Sequence, residues 1–172
     1  VDRNGDGAID DNDRYFYKSI AAPWTGGLNF KIGYKNFDLG TNFRASFGNY
    51  VYNGITEGKV NTEERYNSKG YYENTTIDIA NLKWTSYNYA LSDYFIQNAS
   101  FIKCDNITLG YSFTGFGKTD RYKGISGRLY ASCTNVFTLT DYDGIDPEQP
   151  SGKETSVYPR SRTFLFGVNL NF

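Results

Sequence analysis

The sequence contains no histidine and no methionine, and only two cysteines and four prolines occur among its 172 residues. Without histidine, the chain cannot supply a histidine general base, a Ser-His-Asp triad or a histidine metal site. Its 18 basic and 19 acidic residues give a formal net charge of −1. This balance gives no electrostatic reason to expect nucleic acid as a partner. We therefore expect no enzyme, no catalytic residues and no nucleic-acid interface.

Long apolar runs are absent as well. The mean hydropathy is −0.58, and no stretch approaches the ~20 apolar residues of a membrane helix. Membrane-spanning β-strands alternate in polarity and leave a much weaker signal, so only helical spans are excluded. No signal peptide precedes the acidic stretch that follows Val1, and we expect a processed chain or a fragment.

Aromatic residues make up 18% of the chain, with 16 Tyr and 13 Phe, and there are 18 Gly. This composition favours an all-β fold. Apolar and polar residues alternate with strand periodicity in five segments, at 24–35, 37–47, 100–113, 127–138 and 162–172. Most are about as long as a tilted strand needs to cross a bilayer, ~9–11 residues, whereas soluble strands average ~5–6.

The connections between these segments alternate between short and long. The first two segments are joined by a tight turn at 35–37, and 114–126 is a modest connection, whereas 48–99 and 139–161 are long. Transmembrane β-barrels alternate in this way. We therefore predict antiparallel strands of a transmembrane β-barrel over 24–172. A soluble, secreted calcium-binding β-sandwich for adhesion or carbohydrate binding explains the alternation equally well and is the alternative.

The stretch "VDRNGDGAIDDND", within the first region 1–23, has the spacing of a 12-residue calcium loop. Such loops place oxygen ligands at positions 1, 3, 5, 7, 9 and 12, with glycine at 6. Gly7 occupies the turn position and Ile9 the usual apolar position. Position 12 is a short Asp in place of the usual bidentate Glu, which weakens the site. The predicted Ca²⁺ ligands are Asp2, Asn4, Asp6, Ala8 through its carbonyl, Asp10 and Asp13.

A solvated acidic turn without metal is the alternative for this loop. No second calcium loop is visible, so we expect a structural ion and not a calcium sensor. We hypothesise that it makes a loop outside the membrane rigid.

Other candidate groups have simpler explanations. Strand parity places Cys104 and Cys133 on opposite sides of the sheet, which predicts two free thiols. Lumen-facing Arg44 and Lys31 are expected to pair with the plug or the barrel wall more often than to line the substrate path. The acidic "DYDGIDPE" at 141–148 is read as a turn, although Asp141, Asp143, Asp146 and Glu148 raise the possibility of a glycosidase carboxylate pair. Aromatic residues of the long connection could stack on sugars or pack against protein, namely Tyr50, Tyr52, Tyr71, Tyr72, Trp84, Tyr87 and Tyr89.

The ending "FLFGVNLNF" is similar to the C-terminal strand of bacterial outer-membrane proteins, with apolar residues at alternating positions and a final Phe. The matching residues are Phe166, Val168, Leu170 and Phe172. The similarity implies that they form the signal for barrel assembly.

Five stretches in order identify a narrower resemblance: "DRNGDGAIDDNDR", "PWTGGLNFKIGYKNFDLGTNFRASFGNYVYN", "ASFIKCDNITLGYSF", "LYASCTNVFTLTDYDGIDPE" and "YPRSRTFLFGVNLNF". Together they resemble the C-terminal part of SusC/RagA-like TonB-dependent outer-membrane transporters. The connection at 54–95 matches least.

The resemblance implies a large plugged barrel that imports glycans or peptides with a SusD-like surface lipoprotein as partner. Contact with the TonB complex would lie in an N-terminal part outside this chain. Since five strands cannot close a barrel in lipid, we expect a C-terminal portion of such a transporter. A periplasmic C-terminus would make 1–23, 48–99 and 139–161 extracellular. No residue can be assigned to substrate binding from the sequence.

Overall fold

The computed structural model describes residues 2–8, 10–58, 77, 92–117, 119, 124–155 and 158–171. Within these ranges, no helix is both long and apolar enough to cross a membrane. The described strands are Trp24–Tyr34 (β1), Phe37–Phe47 (β2), Tyr50–Asn53 (β3), Ile96–Asn98 (β4), Phe101–Phe116 (β5), Ile125–Thr140 (β6), Lys153–Glu154 (β7) and Thr163–Asn171 (β8). A short helix, Gly54–Glu57 (α1), follows β3, and 3₁₀ turns lie at Asp11–Asp13 and Asp93–Phe95.

The five long strands form one antiparallel sheet in the order β1-β2-β5-β6-β8. The predicted all-β fold and its five strands are confirmed. β5 extends to Phe116 and β6 begins at Ile125, so the connection predicted at 114–126 is shorter. β1 and β8 are the outer strands of this order, and the sheet is therefore open within the described residues.

One face of the large sheet is apolar and solvent-exposed in this chain. The register places Leu28 opposite Phe43, and Phe43 opposite Cys104. An apolar face left exposed over a whole sheet needs a covering partner or lipid. The exposed large apolar side chains that share this face are Trp24, Leu28, Phe30, Ile32, Tyr34, Phe37, Phe47, Ile102, Leu109, Tyr111, Leu129, Phe137, Leu139, Phe164, Phe166, Val168 and Leu170.

The opposite face of the sheet is polar and carries hydrogen-bonded side chains. The Arg128 Nε on β6 donates to the Asp38 Oδ1 on β2 at 2.9 Å, and the pair passes over Gly110 of β5. A Cβ at Gly110 would clash with the Arg128 Nη2 and the Asp38 Oδ1. The absence of a side chain at Gly110 therefore lets the ion pair bridge three strands.

A β-bulge at Asp105 corrects the predicted positions of the cysteines. Asn42 pairs with Asn106 and Phe43 with Cys104, which leaves Asp105 as an extra residue in β5. The extra residue reverses the parity of everything before it. Cys104 therefore lies on the apolar face, the same face as Cys133, and not on the opposite one. Both thiols are free, as predicted, but the parity argument for that prediction was wrong.

The described parts of the long connections contain a second sheet. It has the order β4-β3-β7, with β3 antiparallel to β4 and parallel to β7. Val51 of β3 is buried together with Ala99 and Tyr142, and Phe95 is buried beside Tyr52. The start of β1, the end of β2, the start of β5, the end of β6 and the start of β8 lie at one end of the large sheet, and the turn at 35–36 lies at the other. Two stretches of the connection at 48–99 have sequences that favour a short helical turn: "TEERYN" lies outside the described residues, and "LSDYFI" contains the 3₁₀ turn Asp93–Phe95.

Candidate functional site

The acidic loop is organised by hydrogen bonds from its own backbone. The Asp2 Oδ1 accepts the N–H of Gly5 at 2.6 Å, and its Oδ2 accepts that of Gly7 at 2.9 Å. The Asn4 Oδ1 accepts from the N–H of Asp6, and the Asp6 Oδ1 from that of Ala8. Side chains at alternate positions therefore brace successive turns, as Asx turns do.

Asp13 closes this loop from its far end. Its Oδ1 accepts the N–H groups of Arg3 at 2.6 Å and Asn4 at 3.3 Å, and its Oδ2 accepts that of Asp10 at 2.9 Å. The hydrogen bonds from Arg3 and Asp10 hold the pKa of Asp13 below its ordinary value. Asp2 and Asp13, the predicted first and last ligands, thus both bind backbone N–H groups of the same short segment, residues 3–7.

The donor set of the loop fits a hard cation, because every predicted ligand supplies oxygen. Within the described residues, however, no three His, Cys, Asp or Glu side chains are grouped closely enough to hold a metal ion. The loop carboxylates turn toward their own N–H groups. Ile9 lies outside the described residues.

The polar face ends in a network of charged side chains at the long-loop end. The Lys103 Nζ lies 2.8 Å from the Asp146 Oδ1 and 3.0 Å from the Glu148 Oε2. The Arg44 guanidinium bridges Glu148 and Asp105, and Arg160 pairs with Asp146 and Glu148. We refer to Arg44, Lys103, Asp105, Asp146, Glu148 and Arg160 as the mouth network.

The mouth network keeps its loop carboxylates ionised. Burial raises the pKa of Glu148, but the hydrogen bonds from Arg44 and Lys103 outweigh it and bring the pKa to about 2. Burial likewise raises the pKa of Asp146, and the hydrogen bond from Lys103 with its neighbours holds it below the ordinary value. The carboxylates carry structural charge here, and neither is suited to act as a general acid near neutral pH.

The acidic stretch 141–148 folds around a buried glutamate that the sequence did not identify. The Glu154 side chain has no exposed surface. It accepts the Tyr142 hydroxyl at 2.9 Å and the N–H groups of Ile145 at 3.1 Å and Asp146 at 2.7 Å. Burial, followed by the hydrogen bond to Glu154, raises the pKa of Tyr142. These contacts fit the prediction of a turn for this stretch. Its carboxylates Asp146 and Glu148 are paired with cations of the mouth network, which does not favour a glycosidase carboxylate pair.

The structure also places the predicted lumen-facing, aromatic and C-terminal residues. Arg44 is part of the mouth network, whereas Lys31 is exposed on β1. Tyr50 and Tyr52 lie on β3 of the second sheet. Tyr71, Tyr72, Trp84, Tyr87 and Tyr89 lie outside the described residues. Phe166, Val168 and Leu170 lie exposed on the apolar face of β8, while Phe172 is outside the described residues; their role in assembly stays a prediction.

No protein-family model matches the chain. It is 47% identical to the TonB-dependent receptor SusC of Bacteroides thetaiotaomicron over 173 residues, which cover 100% of this chain and 17% of that protein. It is 30% identical to the TonB-dependent receptor P3 of Formosa agariphila over 190 residues, covering 100% of this chain and 18% of that protein. Over the segment it spans, the chain belongs to the SusC-like TonB-dependent receptors. It spans less than a fifth of the length of these curated relatives.

Solved structures share the fold of this SusC-like segment. The RagAB peptide transporter superposes with a TM-score of 0.69 at 23% identity, over 91% of this chain and 18% of that one. The RagAB peptide importer in the 'closed-closed' state superposes with a TM-score of 0.68 at 21% identity, over 97% of this chain and 20% of that one. The large sheet is therefore a part of a transporter-type β-barrel.

Proposed function

We propose that this SusC-like chain acts as one segment of a longer, TonB-dependent importer in the bacterial outer membrane. The observation that carries the proposal is the two-sided sheet, with an exposed apolar face over its full length and a polar, hydrogen-bonded face opposite. The apolar face would contact lipid and the polar face would line the interior, as in outer-membrane barrels. The similarity to SusC supports the same assignment.

The proposed cargo is a glycan, an oligosaccharide or a peptide, taken up with a SusD-like surface lipoprotein as partner. SusC-like sequence and a RagAB-like fold support this class of importer without choosing between the cargoes. TonB would act on a region outside this chain. The soluble sandwich is not favoured, because it would bury the apolar face that remains open here.

Localisation and uptake together test this proposal. The protein should sediment with outer membranes and require detergent for extraction. Cells should lose accumulation of labelled oligosaccharides or of labelled peptides when its gene is deleted, and the same loss should follow deletion of TonB. A protein recovered soluble without detergent would contradict the proposal, as would unchanged uptake of both cargo classes.

We also propose that the loop spanning residues 2–13 binds a structural Ca²⁺ ion and that the long-loop end of the sheet is extracellular. The oxygen at every ligand position and the glycine at Gly7 support the metal. When bound, Ca²⁺ would supply positive charge at the centre of the loop and fix its shape. The C-terminus would then be periplasmic.

Calorimetry tests the calcium proposal. Calcium should bind at millimolar concentration or tighter, the range of extracellular sites, ~10⁻⁴–10⁻³ M. Asp6→Ala should abolish binding, whereas Asp11→Asn, which alters a position without a ligand role, should not. The proposal would be contradicted if the unsubstituted protein gave no heat of calcium binding and mass spectrometry detected no bound calcium.

Labelling of the Ser151→Cys variant on intact cells with a membrane-impermeant maleimide tests whether the long-loop end is extracellular.

A further inference from the structure

The mouth network joins a loop to the barrel wall through a buried cation. The Lys103 side chain is 3% exposed, and its two acidic partners both belong to the loop at 141–155, which we refer to as the strap. A buried ammonium is costly unless it is paired and hydrogen-bonded. Lys103 therefore depends on the strap, and the strap is tied to β5 at that point.

Arginines from two further elements complete this attachment. The Arg44 Nη1 on β2 lies 2.7 Å from the Glu148 Oε1, and the Arg160 Nη2 lies 3.2 Å from the Glu148 Oε2. Arg44 also pairs with Asp105, the bulge residue of β5. Three cations face three carboxylates, so the network is balanced in charge.

Both bulged strands contribute to the geometry of the network. Without the bulge, Asp105 would not lie beside Arg44 on the polar face. The register of β6 against β5 also shifts here, because Asn135 and Val136 lie opposite the single Asp105. Asn135 has a φ of 52°, and its Nδ2 donates to the carbonyl of Arg160 at 2.9 Å. This holds the backbone from which Arg160 reaches the strap. Bulges in neighbouring strands thus position side chains at both ends of the network.

Hydrogen bonds within the strap connect its turns to one another. The Glu154 carboxylate accepts hydrogen bonds from the Tyr142 hydroxyl and from two backbone N–H groups of the strap. Because these turns share a single buried acceptor, we expect them to keep their arrangement relative to one another when the contacts of the strap with the large sheet change. The strap is therefore braced internally; it is held to the large sheet by the mouth network and to the second sheet through the pairing of β7 with β3.

We propose that the strap is locked onto the polar face by the mouth network and that loss of this charge balance releases the strap from the large sheet while the strands of that sheet remain paired. At neutral pH the strap is then fixed against the polar face at the long-loop end of the large sheet, with Lys103 at the centre of the contact. This inference rests on contacts within the chain and does not depend on the cargo or on calcium.

Acid provides the natural perturbation of the lock. The charged groups facing Glu148 and Asp146 are Arg44 from β2, Lys103 from β5 and Arg160 from the segment before β8. The folded pKa of Glu148 is about 2, below its ordinary value of 4.5. Stability contributed by this carboxylate is present above the ordinary pKa and is lost as pH falls through that window. Release should therefore occur between about pH 4.5 and 2.

Hydrogen exchange of the whole protein in detergent or lipid tests the lock, with β5 and β6 peptides as internal references. In Lys103→Met, which keeps the apolar stem, we expect strap amides to exchange about 100-fold faster, as for removal of one partner of a buried ion pair. The β5–β6 peptides should keep their protection. Lys31→Met makes the same change on the exposed part of the polar face and should have no effect.

A second variant tests the same contact in case Lys103→Met does not assemble. Arg160→Gln removes a half-exposed arginine from the network, and the strap should then exchange faster by a smaller factor. The proposal is overturned if both variants assemble and strap exchange remains at the level of the unsubstituted protein. It is also overturned if the strap and the strands lose protection together. Either result leaves the importer assignment standing, because uptake and localisation are measured separately.

Discussion

The buried glutamate at position 154 gives the sharpest quantitative prediction. Glu154→Gln keeps the volume of the side chain but replaces one carboxylate oxygen with an amide group. The carboxylate accepts hydrogen bonds from the Tyr142 hydroxyl at 2.9 Å and from the N–H groups of Ile145 at 3.1 Å and Asp146 at 2.7 Å. The glutamine carbonyl can keep the N–H groups of Ile145 and Asp146, which share one oxygen, but the amide then faces the Tyr142 hydroxyl, whose O–H loses its acceptor, and the negative charge that strengthens all these bonds is lost.

The magnitude follows from these contacts. A hydrogen bond to a charged group contributes ~1.5–3 kcal/mol, and a buried donor left without a partner costs ~1–3 kcal/mol. We therefore expect Glu154→Gln to destabilise the strap by about 3 kcal/mol, which corresponds to a ~100-fold loss of local protection. The three donors all lie in the loop, so the large sheet should keep its stability.

Hydrogen exchange resolved to the strap peptide is the appropriate assay, because a melting temperature would report mainly the barrel. Glu57→Gln is the matched control: Glu57 accepts from the Lys153 Nζ at 3.1 Å across a partly exposed pair. Such pairs contribute ~0–1 kcal/mol, so protection should change by less than ~5-fold. If Glu154→Gln altered strap exchange no more than Glu57→Gln does, the reasoning from buried hydrogen bonds would be refuted.

Three further predictions concern the sheet and its acid response. Gly110→Ala should lower thermal stability, because its Cβ would enter the ion pair that crosses β5, whereas Gly40→Ala, with open space around its Cβ, should be neutral or slightly stabilising; equal melting temperatures would contradict this. Deletion of Asp105 removes only the extra residue, so Cys104 should stay opposite Phe43, Lys103 should stay on the polar face, and heat-resistant folded protein should still be seen on a gel; loss of assembly would show that the bulge itself is required. Protease sensitivity of the strap should rise as pH falls from about 4.5 toward 2, and Glu148→Gln should make it sensitive at neutral pH; a strap with no acid transition would argue against the role of this carboxylate.

The long strands could be predicted from the sequence because their side chains alternate over many residues. The pattern from Leu28 to Lys35 and that from Phe37 to Phe47 place apolar groups on one face, and the structure follows both. A period of two repeated over ten residues dominates local preference. The shared end of the long connections follows from the strand order and needs no further information.

The remaining features depend on contacts that leave little local signal. A single extra residue at Asp105 has no sequence signature of its own, yet it reverses the facing of Cys104. β7 has two residues and β4 three, too few to show a period. Lys103 and Asp146 are 43 positions apart, so their pairing is a property of the fold. A lysine inside a predicted strand was the one available hint, since a charge there needs a partner.

The most direct test of the account asks which face of β1 contacts lipid. Spin labels would be placed singly at Leu28, Asn29, Phe30 and Lys31, in protein reconstituted in bilayers with Cys104 and Cys133 replaced by alanine. Labels at Leu28 and Phe30 should be accessible to oxygen, which concentrates in lipid, and those at Asn29 and Lys31 to a water-soluble nickel reagent. Accessibility of all four positions to the nickel reagent, without alternation, would contradict the claim that this sheet is part of a membrane barrel.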